Sequence, residues 1–325
     1  MRLLVLGGTA FVGRAITELA VTQGHDVTVL NRGHHDTPTG VTAITGDRTA
    51  PDGLAGLNDT TFDAVVDTWA GAPQPVRDAV HTLTGRARHY TYISSRSVYA
   101  DGDAPPITED SPLAEPAEDE SNYAGIKRAG EIATEAFDGQ VLLARAGLIL
   151  GPYENIGRLP WWLHRLARGG PTLAPGPEDL PLQYIDARDL AAFVLDAATT
   201  GTTGPYNLVS PPGHTTMGEL LNTANRITGG HADLRWTDPG TILAAGIQPW
   251  TDLPIWLPPG ADHDFLHRGD VTRALEAHLT LRPVEETIAD TWTWLQTLPG
   301  PPPQRPDRPA VGLNPETEAK VLGLD

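Results

Sequence analysis

Strands and helices alternate in the pattern of apolar and polar positions through the first half of the chain. Apolar or β-branched runs, separated by turn signals or helical stretches, occupy residues 2–6, 26–30, 41–47, 62–69, 89–95 and 139–151. Residues 12–23 have helical periodicity, with Ile16, Leu19 and Ala20 on one face, and Gly24 ends that helix. Apolar strands that are connected by helices indicate a parallel sheet covered on both faces. The pattern therefore predicts an α/β fold.

The second half of the chain has a different pattern. LPWWLHRLARGG predicts a helix, LPLQYIDARDLAAFVLDAA a strand followed by a helix, and GPYNLVS a short strand. Proline, glycine and tryptophan dominate residues 231–268, which is typical of a loop-rich cap. Residues 299–309 have the composition of a semi-rigid proline linker, and PETEAKVLGL after them predicts a short terminal helix.

Composition and charge exclude several classes of protein. The 325 residues contain no cysteine, which excludes disulfides, thiolate nucleophiles and cysteine-based metal sites. The formal net charge of −18 repels phosphate backbones and anionic lipid, and no basic run offsets it. No apolar run is as long as a membrane span, and MRLLVLGGTAFVG predicts a first strand rather than a signal peptide. We expect a cytoplasmic protein that binds a small molecule, with no nucleic-acid or membrane partner.

A glycine cluster lies between the first strand and the first helix. VLGGTAFVGRAITELA places Gly7, Gly8 and Gly13 where backbone N–H groups and the helix dipole can hold a pyrophosphate; the alternative is a tight turn without a ligand. The second strand ends at NRG without an acid for a ribose 2′-hydroxyl, and Arg32 can pair with a 2′-phosphate instead. This favours NADP(H) over NAD(H), unless Arg32 is only an exposed loop residue.

A lysine stands out among the basic residues. The chain has 23 basic residues, and the two that are lysines are Lys127 and Lys320. Since arginine serves elsewhere, a retained lysine indicates a position that needs a compact ammonium. Tyr123 precedes Lys127 by four residues, so both side chains lie on one face of a helix. A phenol titrates at about 10, and a nearby ammonium favours its ionised form, which suits acid/base chemistry. The alternative is an ordinary pair on a helix surface.

Five segments in this order resemble the extended, epimerase-like branch of the short-chain dehydrogenase/reductase superfamily: GGTAFVGR, ISSRSVYA, YAGIK, LILGPYE and LQYIDARDLA. The resemblance covers about residues 1–295. It implies a Rossmann-like, doubly wound parallel sheet with a smaller C-terminal substrate-binding cap. Residues 1–150, to which 181–200 return, would form the NAD(P)-binding domain. The substrate-binding region would be 151–180 with 201–298, and 299–325 a proline-rich tail.

The resemblance also assigns catalytic roles. It implies that Tyr123 donates or accepts a proton, that Lys127 binds the nicotinamide ribose and lowers the pKa of Tyr123, and that Ser95 hydrogen-bonds the reacting oxygen. Ser94 and Ser97 compete for the last role, but Ser95 stands four residues before Tyr99, as in the family's motif. The candidate cofactor-binding residues are Gly7, Thr9, Ala10, Phe11, Val12, Gly13, Asn31, Arg32, Asp47, Arg48, Thr68, Tyr123, Lys127 and Leu148.

Three departures from the family pattern limit the reaction. Ala10 replaces the middle glycine of the loop, which could hold a pyrophosphate farther from the backbone. Arg96 and Ser97 stand where sugar-nucleotide 4,6-dehydratases carry an Asp-Glu pair, which argues against dehydration. Leu182 stands where many sugar-nucleotide epimerases carry an arginine that binds a diphosphate, which makes a nucleotide-sugar substrate less favoured.

Two further groups of residues have both a functional and a structural interpretation. The tryptophans could line a pocket for a ring-bearing or lipophilic substrate, or could be core and cap packing: Trp161, Trp162, Trp236, Trp250 and Trp256. His263 and His267 have the i, i+4 spacing of metal ligands, but we interpret them as surface histidines and predict no metal site.

The sequence thus leads to three hypotheses on function. The first is an NADP(H)-dependent oxidoreductase that transfers hydride between nicotinamide and a carbonyl or secondary alcohol of a small molecule. The second is an NAD(P)-dependent epimerase with retained cofactor that acts on a sugar-like or nucleotide-sugar substrate. The third is a cofactor-binding regulatory or RNA-associated protein, against which stand the acidity and the complete Ser-Tyr-Lys set. The resemblance leaves a homodimer open.

Overall fold

The computed structural model describes residues 1–57, 59–100, 105–302, 304–306 and 308–324. Over the ranges so described, the chain divides into two compact units. Unit 1 consists of Met1–Gly147, Ala187–Val209 and Asp270–Thr280. Unit 2 consists of Leu148–Asp186, Ser210–Gly269 and Leu281–Asp325.

Strands and helices follow one another along the described part of the chain, with the second, third and fourth strands in succession without an α-helix between them. The strands are β1 (Arg2–Leu6), β2 (Asp26–Asn31), β3 (Thr42–Thr45), β4 (Phe62–Asp67), β5 (Ala87–Ser95), β6 (Gln140–Ala146), β7 (Ile149–Leu150), β8 (Gly170–Pro175), β9 (Pro181–Leu182), β10 (Ile185–Asp186), β11 (Gly204–Leu208), β12 (Thr215–Thr216) and β13 (Ala232–Thr237). The helices are α1 (Phe11–Thr22), α2 (Gln74–Leu83), α3 (Tyr123–Ala133), α4 (Arg158–Arg168), α5 (Ala187–Thr200), α6 (Met217–Ile227), α7 (Pro239–Ala244), α8 (Ala261–His267), α9 (Thr272–Glu276), α10 (Val284–Thr297) and α11 (Pro315–Val321).

The predicted parallel sheet is confirmed in unit 1. Its strands lie in the order β11-β6-β5-β4-β1-β2-β3, and each neighbouring pair is parallel. Residues 3–6 of β1 are at most 1% exposed, α1 packs against α5, and α2 packs against α3. The chain builds β2 and β3 on one side of β1 and β4, β5 and β6 on the other. The carboxyl ends of β1 and β4 therefore flank the switch point, where doubly wound sheets bind their ligands.

Two strands differ from the expectation. The single buried strand predicted over 139–151 is divided at Gly147 into β6, which joins the sheet, and β7, which pairs with β10 in unit 2. A Cβ at Gly147 would lie 2.6 Å from Val209 Cγ2, so only glycine fits this close approach. In addition, β11 is the edge strand of the sheet, whereas the sequence grouped residues 201–298 with the substrate region. The sequence of a short strand such as β11 does not indicate which sheet the strand joins.

The core of unit 2 is built from aliphatic side chains and tryptophan. Trp162 and Trp256 are 0% exposed, and their indole N–H groups donate to Pro254 O at 2.7 Å and Gly176 O at 3.0 Å. Trp161, Trp236 and Trp250 are half-buried against the same core. The cap predicted over 231–268 is less irregular than its composition indicated, since it contains β13, which pairs with β8, and the helices α7 and α8.

The C-terminal segment packs within unit 2. Of the predicted linker 299–309 and tail, Pro303, Asp307 and Asp325 lie outside the described residues. The Arg305 amide donates to Asn155 O at 2.9 Å, and Leu313 is buried in the core. The terminal helix predicted by PETEAKVLGL is present as α11.

A buried charge pair fixes α11 in place. Glu318 is 5% exposed and accepts from Arg165 Nε at 2.8 Å and from the Leu173 amide at 3.1 Å. The proline-rich composition of residues 299–309 predicted a linker. That composition gives no sign that Glu318, after the linker, supplies the counter-charge of Arg165.

Candidate active site

The glycine turn after β1 is so closely packed that Gly7 and Gly13 have no room for a side chain. Gly7 has φ +99°, and a Cβ there would overlap Thr68 Oγ1. A Cβ at Gly13 would overlap the Gly7 carbonyl oxygen. Thr68, predicted as a cofactor residue, holds this turn because its hydroxyl donates to Leu6 O at 2.9 Å. The two glycines are therefore required by the turn itself.

The first turn of α1 fits the diphosphate of a dinucleotide. Its N-cap, Ala10, provides no side-chain hydrogen bond, and the first turn has no acidic residue, so the positive end of the helix dipole is not compensated. Ala10 has an extended backbone (φ −136°), which an alanine adopts without strain. The next residue, Phe11, has φ +38°, a strained value for a non-glycine residue, of the kind that often marks a functional turn. Val12 and Thr9 are buried beside it.

The loop after β2 contains Arg32, the residue predicted to determine the preference for NADP(H) over NAD(H). The Asn31 side chain closes its own turn by accepting from the Gly33 amide at 2.6 Å, and Arg32 is exposed. Asp47, also exposed, accepts hydrogen bonds from the Thr49 amide and hydroxyl, which lower its pKa, and the nearby charge of Arg32 lowers it further. The carboxylate of Asp47 is therefore within electrostatic range of the guanidinium of Arg32.

Arg48 is committed to a buried ion pair. Its Nη1 lies 2.5 Å from Asp67 Oδ1, its Nη2 lies 2.8 Å from Asp67 Oδ2, and Nη2 also donates to Pro75 O at 2.7 Å. Asp67 accepts further from Tyr90 Oη at 2.6 Å. Burial alone would raise the pKa of Asp67, but the charge of Arg48 and these hydrogen bonds hold it below its ordinary value. The guanidinium of Arg48 is thus used inside the protein, and its role in cofactor binding stays a prediction.

Lys127 holds the carboxyl ends of β4 and β5 together. Its side chain is buried, and Nζ donates to Trp69 O at 2.7 Å and to Ile93 O at 2.6 Å. Nζ also lies 3.2 Å from Tyr92 Oη and 4.5 Å from the centre of the Tyr92 ring. The sequence indicated that position 127 needs an ammonium, but it did not identify these partners, because two of them are backbone carbonyls.

Tyr123 begins α3 one turn before Lys127. It is half-buried, and Asn122 caps the helix by accepting from the Gly125 amide at 2.9 Å. The pKa of Tyr92 is raised well above its ordinary value, mainly by burial and further by the charges of Asp67 and Tyr123. The phenol of Tyr123 is therefore within electrostatic range of the phenol that contacts Lys127.

The three serines at the end of β5 have different environments. Ser94 Oγ donates to Glu131 Oε1 at 2.7 Å, and Glu131 also accepts from Arg145 Nε at 2.9 Å, so Ser94 is part of a buried network. Ser95 is partly exposed, and its Oγ accepts from the Ser97 amide at 3.1 Å. This environment argues against Ser94 as the catalytic hydroxyl and leaves Ser95 and Ser97 as candidates.

The remaining predicted residues lie elsewhere. Leu148 is in unit 2, where its side chain joins the core, while the other predicted site residues are in unit 1. His263 and His267 are buried, contrary to the surface position that the sequence indicated. Their ring nitrogens bond to Pro181 O and the Gln183 amide, both at 2.9 Å.

The described residues contain no group of three or more histidine and acidic side chains that is arranged to hold a metal ion. Among the residues described, every helix is too short or too polar to cross a bilayer.

Glu154, which sequence reasoning did not single out, lies fully buried before α4. Its carboxylate accepts from the Arg158 amide at 2.7 Å and the Leu159 amide at 3.2 Å, and burial raises its pKa to about 7. Its folded pKa exceeds the ordinary value of 4.5, so its favourable contribution is full below pH 4.5 and is lost as pH rises through about 7. The difference corresponds to at most about 3 kcal/mol.

We therefore expect a Glu154→Gln variant to lose this part of the pH dependence. Urea unfolding at about pH 6 and about pH 8 measures it, since other titrating groups are shared by both proteins and cancel in the comparison. The wild type should lose more stability than the variant between the two pH values. Equal losses would show that Glu154 does not titrate in this range.

A parallel sheet with a glycine turn at its switch point, and a Tyr-x-x-x-Lys helix beside it, define an extended short-chain dehydrogenase/reductase fold. The chain belongs to the NAD dependent epimerase/dehydratase family, whose model matches residues 3–208.

Three known proteins illustrate its similarities. The chloroplast stem-loop binding protein of 41 kDa b from Arabidopsis thaliana is 26% identical over 211 residues, covering 60% of this chain and 54% of that protein. Ceramide reductase of Caulobacter vibrioides is 34% identical over 140 residues, covering 41% and 42%. The chain thus spans about half the length of these curated relatives. The enzyme WbmG of Bordetella bronchiseptica, solved with NAD and UDP, superimposes with a TM-score of 0.67 at 20% identity, covering 91% and 95%.

Proposed function

We propose that this protein is an NAD(P)-dependent oxidoreductase that transfers hydride between nicotinamide and a carbonyl or secondary alcohol of a small molecule, with NADP(H) favoured. The observation that carries the proposal is the buried ammonium of Lys127, which lies at the carboxyl ends of β4 and β5, one helical turn from Tyr123. A lysine that is buried at the carboxyl ends of parallel strands, one helical turn from a tyrosine, is a candidate for a residue of an active site.

The chain's own residues have defined roles in this mechanism. The turn at Gly7 and Gly13 and the start of α1 would hold the diphosphate. Lys127 would bind the ribose and favour the ionised phenol. Tyr123 would give its proton to the substrate oxygen in reduction and take it back in oxidation, while Ser95 Oγ donates a hydrogen bond to that oxygen. A bound nicotinamide supplies or accepts the hydride.

An epimerase with retained cofactor is the second candidate. The name of the family and the NAD and UDP bound to WbmG favour it. Leu182 weakens it, because this buried apolar side chain occupies the position of the expected diphosphate-binding arginine. The stem-loop binding relative supports an RNA-associated role, but the net charge of −18 opposes it.

Analysis of the purified protein separates these functions. Mass spectrometry of the released small molecules identifies a retained dinucleotide, and absorbance at the reduced-nicotinamide band follows net oxidation with a panel of carbonyl compounds. Net consumption of NADPH supports the reductase. A tightly retained dinucleotide without net consumption supports the epimerase. Salt-sensitive RNA binding without either would overturn both enzyme proposals.

The preference for NADP(H) depends on Arg32. We expect Arg32→Ala to weaken NADP⁺ binding by about tenfold, because a charge-assisted bond to the 2′-phosphate is lost, and to leave NAD⁺ binding unchanged. Calorimetric titration with both dinucleotides measures this. Arg88→Ala is the matched control, since Arg88 is an exposed arginine at the opposite end of the sheet. Equal loss for both dinucleotides would refute a 2′-phosphate contact.

A further inference from the structure

The ammonium of Lys127 has acceptors of unequal strength. Its Nζ lies within hydrogen-bonding distance of two backbone carbonyl oxygens and one phenol. The carbonyl oxygens of Ile93 and Trp69 are at 2.6 and 2.7 Å, and Tyr92 Oη is at 3.2 Å. The carbonyls belong to the strand β5 and to the turn after β4, so the backbone fixes their positions. The phenol provides the longest of these contacts.

Tyr92 is held beneath α3 by close packing. It is 0% exposed, and its hydroxyl fits against Gly130, where a Cβ would overlap Tyr92 Oη. Its ring lies under the ammonium at 4.5 Å, a cation–π distance. Because burial and the charges of Asp67 and Tyr123 raise the pKa of Tyr92 well above its ordinary value, the phenol stays neutral and is a weaker acceptor than a carboxylate.

We propose that Tyr92 is a positioning residue whose hydroxyl satisfies one donor of Lys127 and is exchanged for a ribose hydroxyl when a dinucleotide binds. The inference rests on the proposed function, in which Lys127 binds the nicotinamide ribose. A buried ammonium cannot give up a hydrogen bond without a replacement. The phenol is released more easily than the two carbonyl oxygens, because its hydroxyl makes the longest of these contacts and its ring continues to stabilise the ammonium after the exchange.

Tyr92→Phe tests the exchange, because it removes the hydroxyl and keeps the ring. Without the competing acceptor, the Kd for NADP⁺ and NAD⁺ should decrease by about fivefold. The ligand-free protein should unfold at a lower temperature, and saturating dinucleotide should raise its Tm by more than it raises that of the wild type. A residue with only a structural role would not increase affinity. An unchanged or larger Kd in a folded variant overturns the proposal.

Tyr90→Phe is the matched control. Tyr90 is a fully buried tyrosine two residues earlier in β5, and its hydroxyl donates to Asp67 rather than contacting Lys127. We expect this variant to lose stability with an unchanged Kd. If the wild-type protein binds neither dinucleotide, the proposed function fails. If the wild type binds and Tyr92→Phe binds no tighter, the proposed function stands and the exchange is refuted.

The wild-type protein provides a second measurement should Tyr92→Phe not fold. ADP-ribose carries the second ribose, and ADP lacks it. Saturation with ADP-ribose should perturb the ultraviolet absorption of tyrosine, since one phenol loses its contact with an ammonium, and saturation with ADP should not. Identical difference spectra for the two ligands overturn the exchange.

Discussion

Replacing Tyr123 with phenylalanine should lower turnover by about 10³-fold and leave dinucleotide affinity nearly unchanged, because the variant would lack the group that we propose exchanges a proton with the substrate oxygen. The ring is kept, so the start of α3 and its cap at Asn122 stay intact. Steady-state rates with the substrate identified by the carbonyl panel, together with the Kd for NADP⁺, measure both quantities. A loss in kcat without a change in Kd separates chemistry from binding.

The control for this variant is Tyr206→Phe. Tyr206 is also partly exposed and in unit 1, but it lies on the edge strand β11, where its ring contacts Phe193. Its turnover should equal that of the wild type. If Tyr123→Phe retains turnover within about threefold of the wild type, Tyr123 is not the acid/base group.

We expect Asp67→Asn to destabilise the protein by about 3 to 5 kcal/mol, because it leaves the guanidinium of Arg48 buried without its counter-charge. The substitution keeps the volume of the side chain, so the effect reports charge rather than a cavity. Urea unfolding at neutral pH measures the change. The folded pKa of Asp67 is depressed, so its contribution is full above about pH 4 and is lost as pH falls through the lower folded pKa. The variant lacks this acid-dependent loss.

Asp63→Asn is the comparison for Asp67. Asp63 pairs with Arg88 at 3.1 Å, but the Arg88 side chain is 79% exposed, and such surface pairs contribute about 0 to 1 kcal/mol. A similar small effect at Asp67 would mean that Arg48 finds water or another acceptor after the substitution.

The fold could be predicted because its signals are local. Each strand of the sheet up to β6 corresponds to an apolar run, and the turn at Gly7 and Gly13 corresponds to glycines at positions where a Cβ has no room. The position of β11 at the sheet edge could not be predicted, because parallel pairing joins residues that are far apart in the chain. Pro and Gly content overstated the irregularity of 231–268, since β13 is stabilised by pairing with β8 rather than by its own propensity.

The site could be predicted in its residue types but not in its contacts. Tyr123 and Lys127 are recognisable from their spacing and from the near absence of lysine. The sequence could not identify the partners of Lys127, the carbonyl oxygens of Trp69 and Ile93, because every residue has a backbone carbonyl. Arg48 was a candidate for cofactor binding, which stays a prediction, and the sequence did not reveal its buried ion pair with Asp67.

The ion pair between Arg165 and Glu318 joins residues 153 positions apart. During translation, α4 leaves the ribosome long before its counter-charge does. Until residue 318 has emerged, Arg165 lacks this carboxylate partner, so the final packing of unit 2 around Arg165 waits for the synthesis of α11.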